Sequence, residues 1–448
     1  MTYFDKNALY PPLIGIAPEP DMALVVTIPC HDEPDLLRTL DALAACETPP
    51  KPVEVIVVIN SAENAPEEIK KRNTETYTQA LAWAAQNSRP ELQFFLLHFP
   101  NLPPKHAGVG LARKIAMDEA ARRLQNAGAP RGVIACLDAD SLVQPNYLRA
   151  LQQYFDRRPE CPAAGIYYEH PLDGDEYAPE IYAAIARYEL HLRYYVHALR
   201  WAGLPTASQT VGSAMAVRAD AYQAQGGMNR RQAGEDFYFL HKFTPLDGFG
   251  EITATTVIPS PRSSHRVPFG TGKAVGDILA GNAFTTYSPL IFKDLKVFLE
   301  KIDKWFELGS ATSTELDHAL HVLPPAVSSF LEKENFREKL REIRANTAGP
   351  EAFRKRFFRW FDPFLAMKYV HHARDHFYAG APVEDCGLRS TDCGLRSTEY
   401  GLRSTDCGLR IVEYGLSKQP VGTEHPAQTR TSIRALLELF RTLDRSKE

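Results

Sequence analysis

GVIACLDADSLVQPNYL, residues 132–148, decides how this chain is read. Gly132–Leu137 is a short apolar run, the pattern of a strand buried on both faces. It ends in two carboxylates one residue apart, Asp138 and Asp140. Open parallel sheets bind ligands beyond the carboxyl ends of their strands, so these acids arrive where a ligand would sit. Two carboxylates in that relation can approach one hard divalent cation. Mg²⁺ or Mn²⁺ prefers carboxylate oxygen and shares itself with substrate phosphates. Taken alone, an Asp-x-Asp is more often a turn that caps the next helix, here the one expected from Asn146.

Upstream, apolar runs alternate with helical patterns. Met22–Ile28 (MALVVTI) reads as a buried strand stopped by Pro29. Leu36, Leu37, Leu40, Leu43 and Ala44 share one face of a helix over 34–46. Val53–Ile59 (VEVIVVI) is a strand that ends in the turn at Asn60–Ser61. Helical Glu67–Asn87, the strand Leu92–His98 and helical Ala107–Ala127 follow. This order predicts βαβ units: an α/β fold with a Rossmann-like, mostly parallel sheet and helices on both faces. Downstream, a helix over 146–155, a strand at 163–168, a long helix over 179–201, strands near 211–217 and 252–258, and a short helix stopped by Gly226–Gly227 are expected. From about residue 276 to 378 the pattern is helical.

The expected division is 1–275 for the α/β domain and 276–380 for a C-terminal helical addition. Residues 381–420 hold a seven-residue repeat (DCGLRST, DCGLRST, EYGLRST, DCGLRIV, EYGLS), and 421–448 a tail with one short helix near Ser432–Leu443. A glycine in every heptad costs a helix roughly 1 kcal/mol each, so the repeat is expected to be disordered rather than a coiled coil.

Of the 448 residues, 51 are basic and 55 acidic, which argues against a nucleic-acid partner. No stretch approaches the roughly 18 apolar residues of a membrane span, and the N-terminus does not read as a signal peptide. The seven cysteines form no Cys-x-x-Cys pair and read as reduced thiols of a cytoplasmic protein.

Four further segments carry chemistry. Gly234-Glu235-Asp236 sets an acidic pair before an aromatic helical stretch. Asp236 would be a general base for an attacking hydroxyl, with Glu235 fixing its position; the plainer reading is charge–dipole stabilisation of a helix start. Thr27–Glu33 (TIPCHDE) turns at the sheet edge, where Asp32 and Glu33 could accept hydrogen bonds from a base or ribose. In Pro104–Lys114, Gly108 and Gly110 would let the backbone approach a ligand, and Arg113 and Lys114 would reach a diphosphate. Pro261–Lys273 (PRSSHRVPFGTGK) is dense in cations and hydroxyls and could close over a diphosphate, with His265 as a third metal ligand.

Taken together, these segments resemble the inverting family 2 glycosyltransferases with the GT-A fold, over roughly residues 20–275. The resemblance rests on the order of the Pro29–Glu33 turn, VEVIVVINSAEN, GVGLARKIAMDEA, LDADSLVQPNYL, GSAMAVRADAYQAQGGMN and AGEDFYF. It implies a nucleotide-sugar donor, Asp138 and Asp140 on a divalent metal, Asp236 as catalytic base, and a donor site drawn from Pro29, His31, Glu33, Asn60, Arg113 and Asp138. Many relatives carry an Asp-Asp-Gly-Ser turn where this chain has Asn60-Ser61-Ala62-Glu63, which leaves the donor base open. The Gln-x-x-Arg-Trp motif of processive synthases is absent, which favours single transfer. Two alternatives share the fold: a nucleotidyltransferase, for which CHDEP lacks the Gly-rich phosphate loop, and a non-catalytic nucleotide-sugar-binding protein. The acceptor, a glycan, a lipid-linked group or a small molecule, is not named by the sequence. Tyr188, Tyr194, Tyr195 and Trp201 could stack on sugars, though packing against the helical addition is the favoured reading. Phe353–Phe361 (FRKRFFRWF) could touch an anionic membrane surface as a peripheral contact at the inner face, against the commoner reading of a docked helix.

Overall fold

The computed structural model describes residues 1–264, 266, 269–383 and 432–446. These form two compact units, Met1–Ile185 with Ser208–Gly281 and Arg441–Glu448, and Ala186–Ala207 with Asn282–Phe440.

The first unit is built on one eight-stranded sheet. In chain order its elements are α1 (Tyr3–Lys6), β1 (Leu24–Cys30), α2 (Leu36–Ala44), β2 (Val53–Ala62), α3 (Glu67–Asn87), β3 (Leu92–Leu102), α4 (Val109–Asn126), β4 (Val133–Cys136), β5 (Leu142–Val143), α5 (Tyr147–Arg157), β6 (Ala163–Tyr168), α6 (Pro179–Trp201), β7 (Met215–Arg218), α7 (Ala219–Ala224), α8 (Glu235–Leu240), β8 (Gly250–Ile258) and α9 (Thr271–Leu279). From Ala186 onward α6 belongs to the second unit. The strand order is β3-β2-β1-β4-β7-β6-β8-β5. The β1–β2, β2–β3, β1–β4 and β6–β8 pairs are parallel, whereas β7 runs antiparallel between β4 and β6, and β5 antiparallel to β8.

The apolar runs are continuous because both faces of the sheet are covered. Leu24, Val26 and Ile28 of β1 join Val53, Val55, Val57 and Ile59 of β2 in a core closed by Leu36, Leu40 and Leu43 of α2 and Leu148, Leu151 and Phe155 of α5. The intervening Val25, Ile56 and Val58 face the other way, onto Leu111, Ile115 and Leu124 of α4 and Tyr222 of α7. Strand alternation therefore divides one run between two cores.

Three expectations are adjusted. The first strand does not stop at Pro29 but continues to Cys30, with Pro29 buried opposite Val58. Pairing with β4 ends at Thr27, so the missing Pro N–H interrupts no ladder on that side. The seventh strand begins at Met215 rather than Val211, which leaves Ser208–Ala214 as loop. Leu142–Val143, inside the Asp-x-Asp segment, is a two-residue strand paired with β8. Gly226 and Gly227 hold φ values of +75° and +73°, as expected of a helix stop.

The second unit is helical, as the periodicity indicates: α10 (Pro289–Leu299), α11 (Ile302–Leu308), α12 (Ser313–His321), α13 (Pro325–Lys333), α14 (Phe336–Ala345), α15 (Pro350–Trp360) and α16 (Pro363–His376). Its one sheet among the described residues pairs β9 (Thr285–Thr286) with β10 (Ala381–Pro382). Phe353 and Phe357 of α15, with Phe361, are buried, and Phe298 contacts the last two. The Tyr194 and Tyr195 rings lie against Phe292. The terminal helix α17 (Ile433–Arg445) covers the segment expected near 432–443. The glycine heptads, with Cys386, Cys393 and Cys407, lie outside the described residues. The other four cysteines are buried free thiols. Among the described residues no helix is long and apolar enough to cross a membrane.

Candidate active site

The carboxyl edge of the sheet gathers two carboxylate clusters, each organised by arginine. The first centres on Arg113, one turn into α4 and 1% exposed. Its Nη2 donates to Asp138 Oδ1 at 2.8 Å, its Nε to Glu235 Oε1 at 3.1 Å, and its Nη1 to the Gly212 carbonyl at 2.9 Å. One buried guanidinium thus joins the turn after β4, the head of α8 and the loop before β7. Asp236 lies against the same centre: a Cβ added to Gly212 would sit 2.9 Å from Arg113 Nη2 and 3.1 Å from Asp236 Oδ2.

The acidic pair is aimed by its loop. Gly234 takes φ +68° to start α8, a conformation that favours glycine. Asn229 Nδ2 donates to the Glu235 carbonyl at 2.8 Å. The loop is also clamped to the start of α4, where the Gly110 N–H donates to the Arg231 carbonyl at 3.2 Å. A Cβ at Gly110 would lie 2.3 Å from that oxygen, and one at Gly108 2.9 Å from the Gln232 Cα. This corrects the expectation for the Gly-x-Gly: these glycines admit the 229–234 loop of the chain itself, not a ligand.

The second cluster lies at the turn that follows β1. Arg262 pairs with Glu33, with Asp35 at 2.8 Å and with Asp140 at 3.3 Å. Arg266 pairs with Glu33 at 2.8 Å and Asp140 at 3.6 Å, and donates to the His31 carbonyl at 3.1 Å. Glu33 is 2% exposed and also accepts from the Asp35 N–H. His31 and Asn60 meet through the His31 ring and the Asn60 carbonyl, 2.7 Å apart, and Asn73 Nδ2 donates to that carbonyl. Asp32, read as a hydrogen-bond acceptor for a ligand, is engaged instead by Arg72 at 2.6 Å.

Burial sets the electrostatics. It pushes Asp140 up to about 6, reinforced by Asp138 and Glu33 and opposed by Arg266 and Arg262. It pushes Glu235 up to about 7, opposed by Arg113. Asp236 is raised as well, again by burial first. Burial works against the Arg113 charge, but Asp138 and Glu235 together hold its pKa above the ordinary value. Six carboxylates (Glu33, Asp35, Asp138, Asp140, Glu235, Asp236) share three guanidinium groups, which leaves the edge rich in negative charge.

Of the residues singled out from the sequence, Asp138, Arg113, Glu235 and Asp236 come together, as do Asp140, Glu33 and His31, with Asn60 behind His31. Pro29 is buried in β1. His265 lies outside the described residues, and among the described residues no group of three or more His, Cys, Asp or Glu gathers as a metal set. Asp35 carries no signal of its own in the sequence, and Gly212 is visible only as the first residue of GSAMAVRADAYQAQGGMN. Arg262 and Arg266 were visible only as members of a cationic segment.

Among families, the model described as glycosyltransferase like family 2 matches residues 20–241. No curated protein matches the chain. Among solved structures, S. aureus TarS 1-349 in complex with UDP-GlcNAc is 14% identical, with 76% of this chain and 91% of that chain covered and a TM-score of 0.37. The mannosyltransferase PcManGT from Pyrobaculum calidifontis, in complex with GDP-Man and Mn²⁺, is 15% identical, with 78% and 90% covered and a TM-score of 0.33. At these TM-scores neither likeness bears on the argument that follows.

Proposed function

The chain belongs, through residues 20–241, to glycosyltransferase-like family 2, and we propose that it transfers a sugar from a nucleoside-diphosphate sugar to an acceptor hydroxyl, once per encounter and with inversion. The observation that carries this reading is the buried Arg113, which brings Asp138 and Glu235 onto one centre with Asp236 beside it.

Asp236 takes the acceptor hydroxyl proton as that oxygen attacks the anomeric carbon. The new C–O bond forms on one side of the sugar, and the bond to the diphosphate breaks on the other, the electron pair leaving with the phosphate oxygen. Attack opposite the leaving group inverts the anomeric carbon. A base works best with its pKa near the working pH, and burial moves Asp236 that way. Glu235 stays in register through Arg113. Glu33, His31 and Asn60 border the nucleoside end, and Arg262 and Arg266 offer charge-assisted donors for a diphosphate.

Asp138 and Asp140 fit a divalent cation. Mg²⁺-type sites use one or two carboxylates and complete themselves with substrate phosphate and water, and the excess of carboxylate over guanidinium at this edge suits added positive charge. A cation bound there would offset the charge that builds on the departing diphosphate.

Calorimetry of UDP, GDP and dTDP with Mn²⁺, on the wild type and on Asp138→Ala/Asp140→Ala, tests the reading. Metal-dependent binding of one nucleotide, lost in the double variant, is the expected result. A folded wild type that binds none of the three would sink it.

A further inference from the structure

We propose that α1 braces the loop that leads into the acidic pair, and that Tyr3 is the positioning residue through which it acts on Asp236. The inference rests on the reading of Asp236 as the base that receives the acceptor proton.

α1 has four residues and none of them is fully buried, so it adds little to the core. What it delivers is one side chain. Tyr3 OH donates to Asp118 Oδ1 at 2.7 Å, and Tyr222 OH donates to the same oxygen at 2.6 Å. Lys114 Nζ lies 3.0 Å from Asp118 Oδ2 and donates to Tyr3 OH at 3.2 Å. Lys114, read from the sequence as a diphosphate ligand, is therefore committed to this buried anchor. Burial and the Asp118 charge hold the Tyr3 pKa well above its ordinary value, so the hydroxyl remains a donor. The segment after α1 is tied along the same helix. Glu119 accepts from the Leu13 and Ile14 N–H groups at 3.1 Å each, Arg122 donates to the Tyr10 carbonyl at 3.0 Å, and Arg123 to the Ile16 carbonyl at 2.7 Å.

The anchored hydroxyl is pressed onto Gly227. A Cβ there would lie 1.9 Å from Tyr3 OH and 3.2 Å from Tyr222 Cζ, so Tyr3 fills the space a side chain would need. Gly227 is gripped at its other groups as well. Its N–H donates to the Tyr222 carbonyl at 2.9 Å, and its carbonyl accepts from Lys242 Nζ at 2.8 Å. Lys242 lies two residues beyond α8, which Glu235 and Asp236 begin. Two residues after Gly227, Asn229 Nδ2 donates to the Glu235 carbonyl at 2.8 Å, and Asn229 Oδ1 accepts from the Arg231 N–H at 3.1 Å.

The contacts form a circuit that closes on α4. Arg113 holds Glu235 from the first turn of that helix, and Asp118 holds Tyr3 further along it. Between these two points the chain passes Gly226, Gly227 and Gly234, whose backbones are the least restrained of any residue. A base must keep its place to within about 1 Å, and a displacement of that size can cost roughly 10²-fold in rate. A loop with three glycines needs an outside support to hold that tolerance, and Tyr3 supplies it at the glycine nearest to Asn229.

Hydrogen exchange on the full chain reads the loop directly. Tyr3→Ala removes the brace and Tyr3→Phe removes only its hydroxyl. Phe4→Ala removes the neighbouring ring of α1, which lies on Arg122 instead. Tyr3→Ala should speed exchange across residues 228–238 and at the Gly110 amide by roughly tenfold, with β2 unchanged. Tyr3→Phe should fall between that and the wild type, and Phe4→Ala should match the wild type. Hydrolysis of UDP-glucose, GDP-mannose and dTDP-glucose, with water in place of the acceptor, gives the second readout. In Tyr3→Ala kcat should drop roughly 10–100-fold with KM unchanged, because a displaced base alters the reacting step and not donor binding. Wild-type exchange in the Tyr3→Ala loop overturns the proposal. So does an equal acceleration in Phe4→Ala, which would mark general detachment of α1, or a rise in KM with kcat held. A wild type that binds no nucleotide fails the donor reading instead, and the exchange comparison, which needs no ligand, still decides the brace.

Discussion

Replacing Arg113 by methionine asks how much of the site one guanidinium holds together. Methionine keeps most of the stem volume, so the loss is mainly charge and hydrogen bonds. Arg113 donates to Asp138, Glu235 and the Gly212 carbonyl from a position 1% exposed. Removing one partner of a buried ion pair typically costs about 3–5 kcal/mol, because the other charge is left uncompensated. The cost must depend on pH. Glu235 stands at about 7 against an ordinary 4.5 even with Arg113 present, a penalty of about 3 kcal/mol on its charged form. Its folded pKa is raised, so this group favours the native state as pH falls from about 7 towards 4.5 and disfavours it as pH rises. Arg113 is the chief group opposing that rise, so Arg113→Met pushes Glu235 higher still and widens the penalty above neutrality. Urea unfolding at about pH 8 should show the full loss of about 3–5 kcal/mol, and at about pH 5.5, with Glu235 protonated in both proteins, a loss smaller by about 1 kcal/mol. A deficit under about 1 kcal/mol at the higher pH, or an equal deficit at both, would refute the assignment of Arg113 as the electrostatic centre of the cluster.

Three other outcomes are expected. Asp236→Asn should lower kcat by roughly 10²–10⁴-fold while leaving the chain folded, and in the wild type the acid limb of the rate profile should lie above the ordinary carboxylate range, because burial raises Asp236; a variant of near wild-type rate would remove it as base. Gly110→Ala sets a methyl 2.3 Å from the Arg231 carbonyl, so it should cost about 1–3 kcal/mol in urea unfolding and depress turnover through the displaced 229–234 loop, whereas a neutral effect on both would show that the close approach is not required. Tyr222→Phe leaves Asp118 with one hydroxyl donor fewer inside a buried cluster with Tyr3 and Lys114, and should cost about 1–2 kcal/mol in melting experiments without changing nucleotide affinity.

The strands were legible because both sheet faces are covered, which turns VEVIVVI into an unbroken apolar run. Asp138 and Asp140 were legible for a related reason, since a buried strand can only deliver the residues after it to the sheet edge. What the sequence hides is what each side chain spends its hydrogen bonds on. Arg113 and Arg262 look alike as cations in glycine-containing segments, yet one is 1% exposed between Asp138 and Glu235 and the other bridges Glu33, Asp35 and Asp140 across more than 100 residues of chain. That partnership is set by which loop crosses which strand end, and local spacing carries no trace of it. The Gly-x-Gly of α4 shows the same limit. Glycine at 108 and 110 reports that something approaches the backbone closely, and the sequence supplies no means of telling a phosphate from the Arg231 carbonyl. A carboxylate after a strand constrains position, whereas a glycine or an arginine constrains only what position would permit. The site was therefore readable where topology fixes the residue, at Asp138, Asp140 and the Glu33 turn. It was unreadable where a long-range contact chooses among permitted partners, in the bonds that Arg113 and Arg262 make and in the approach of Gly212 to Arg113.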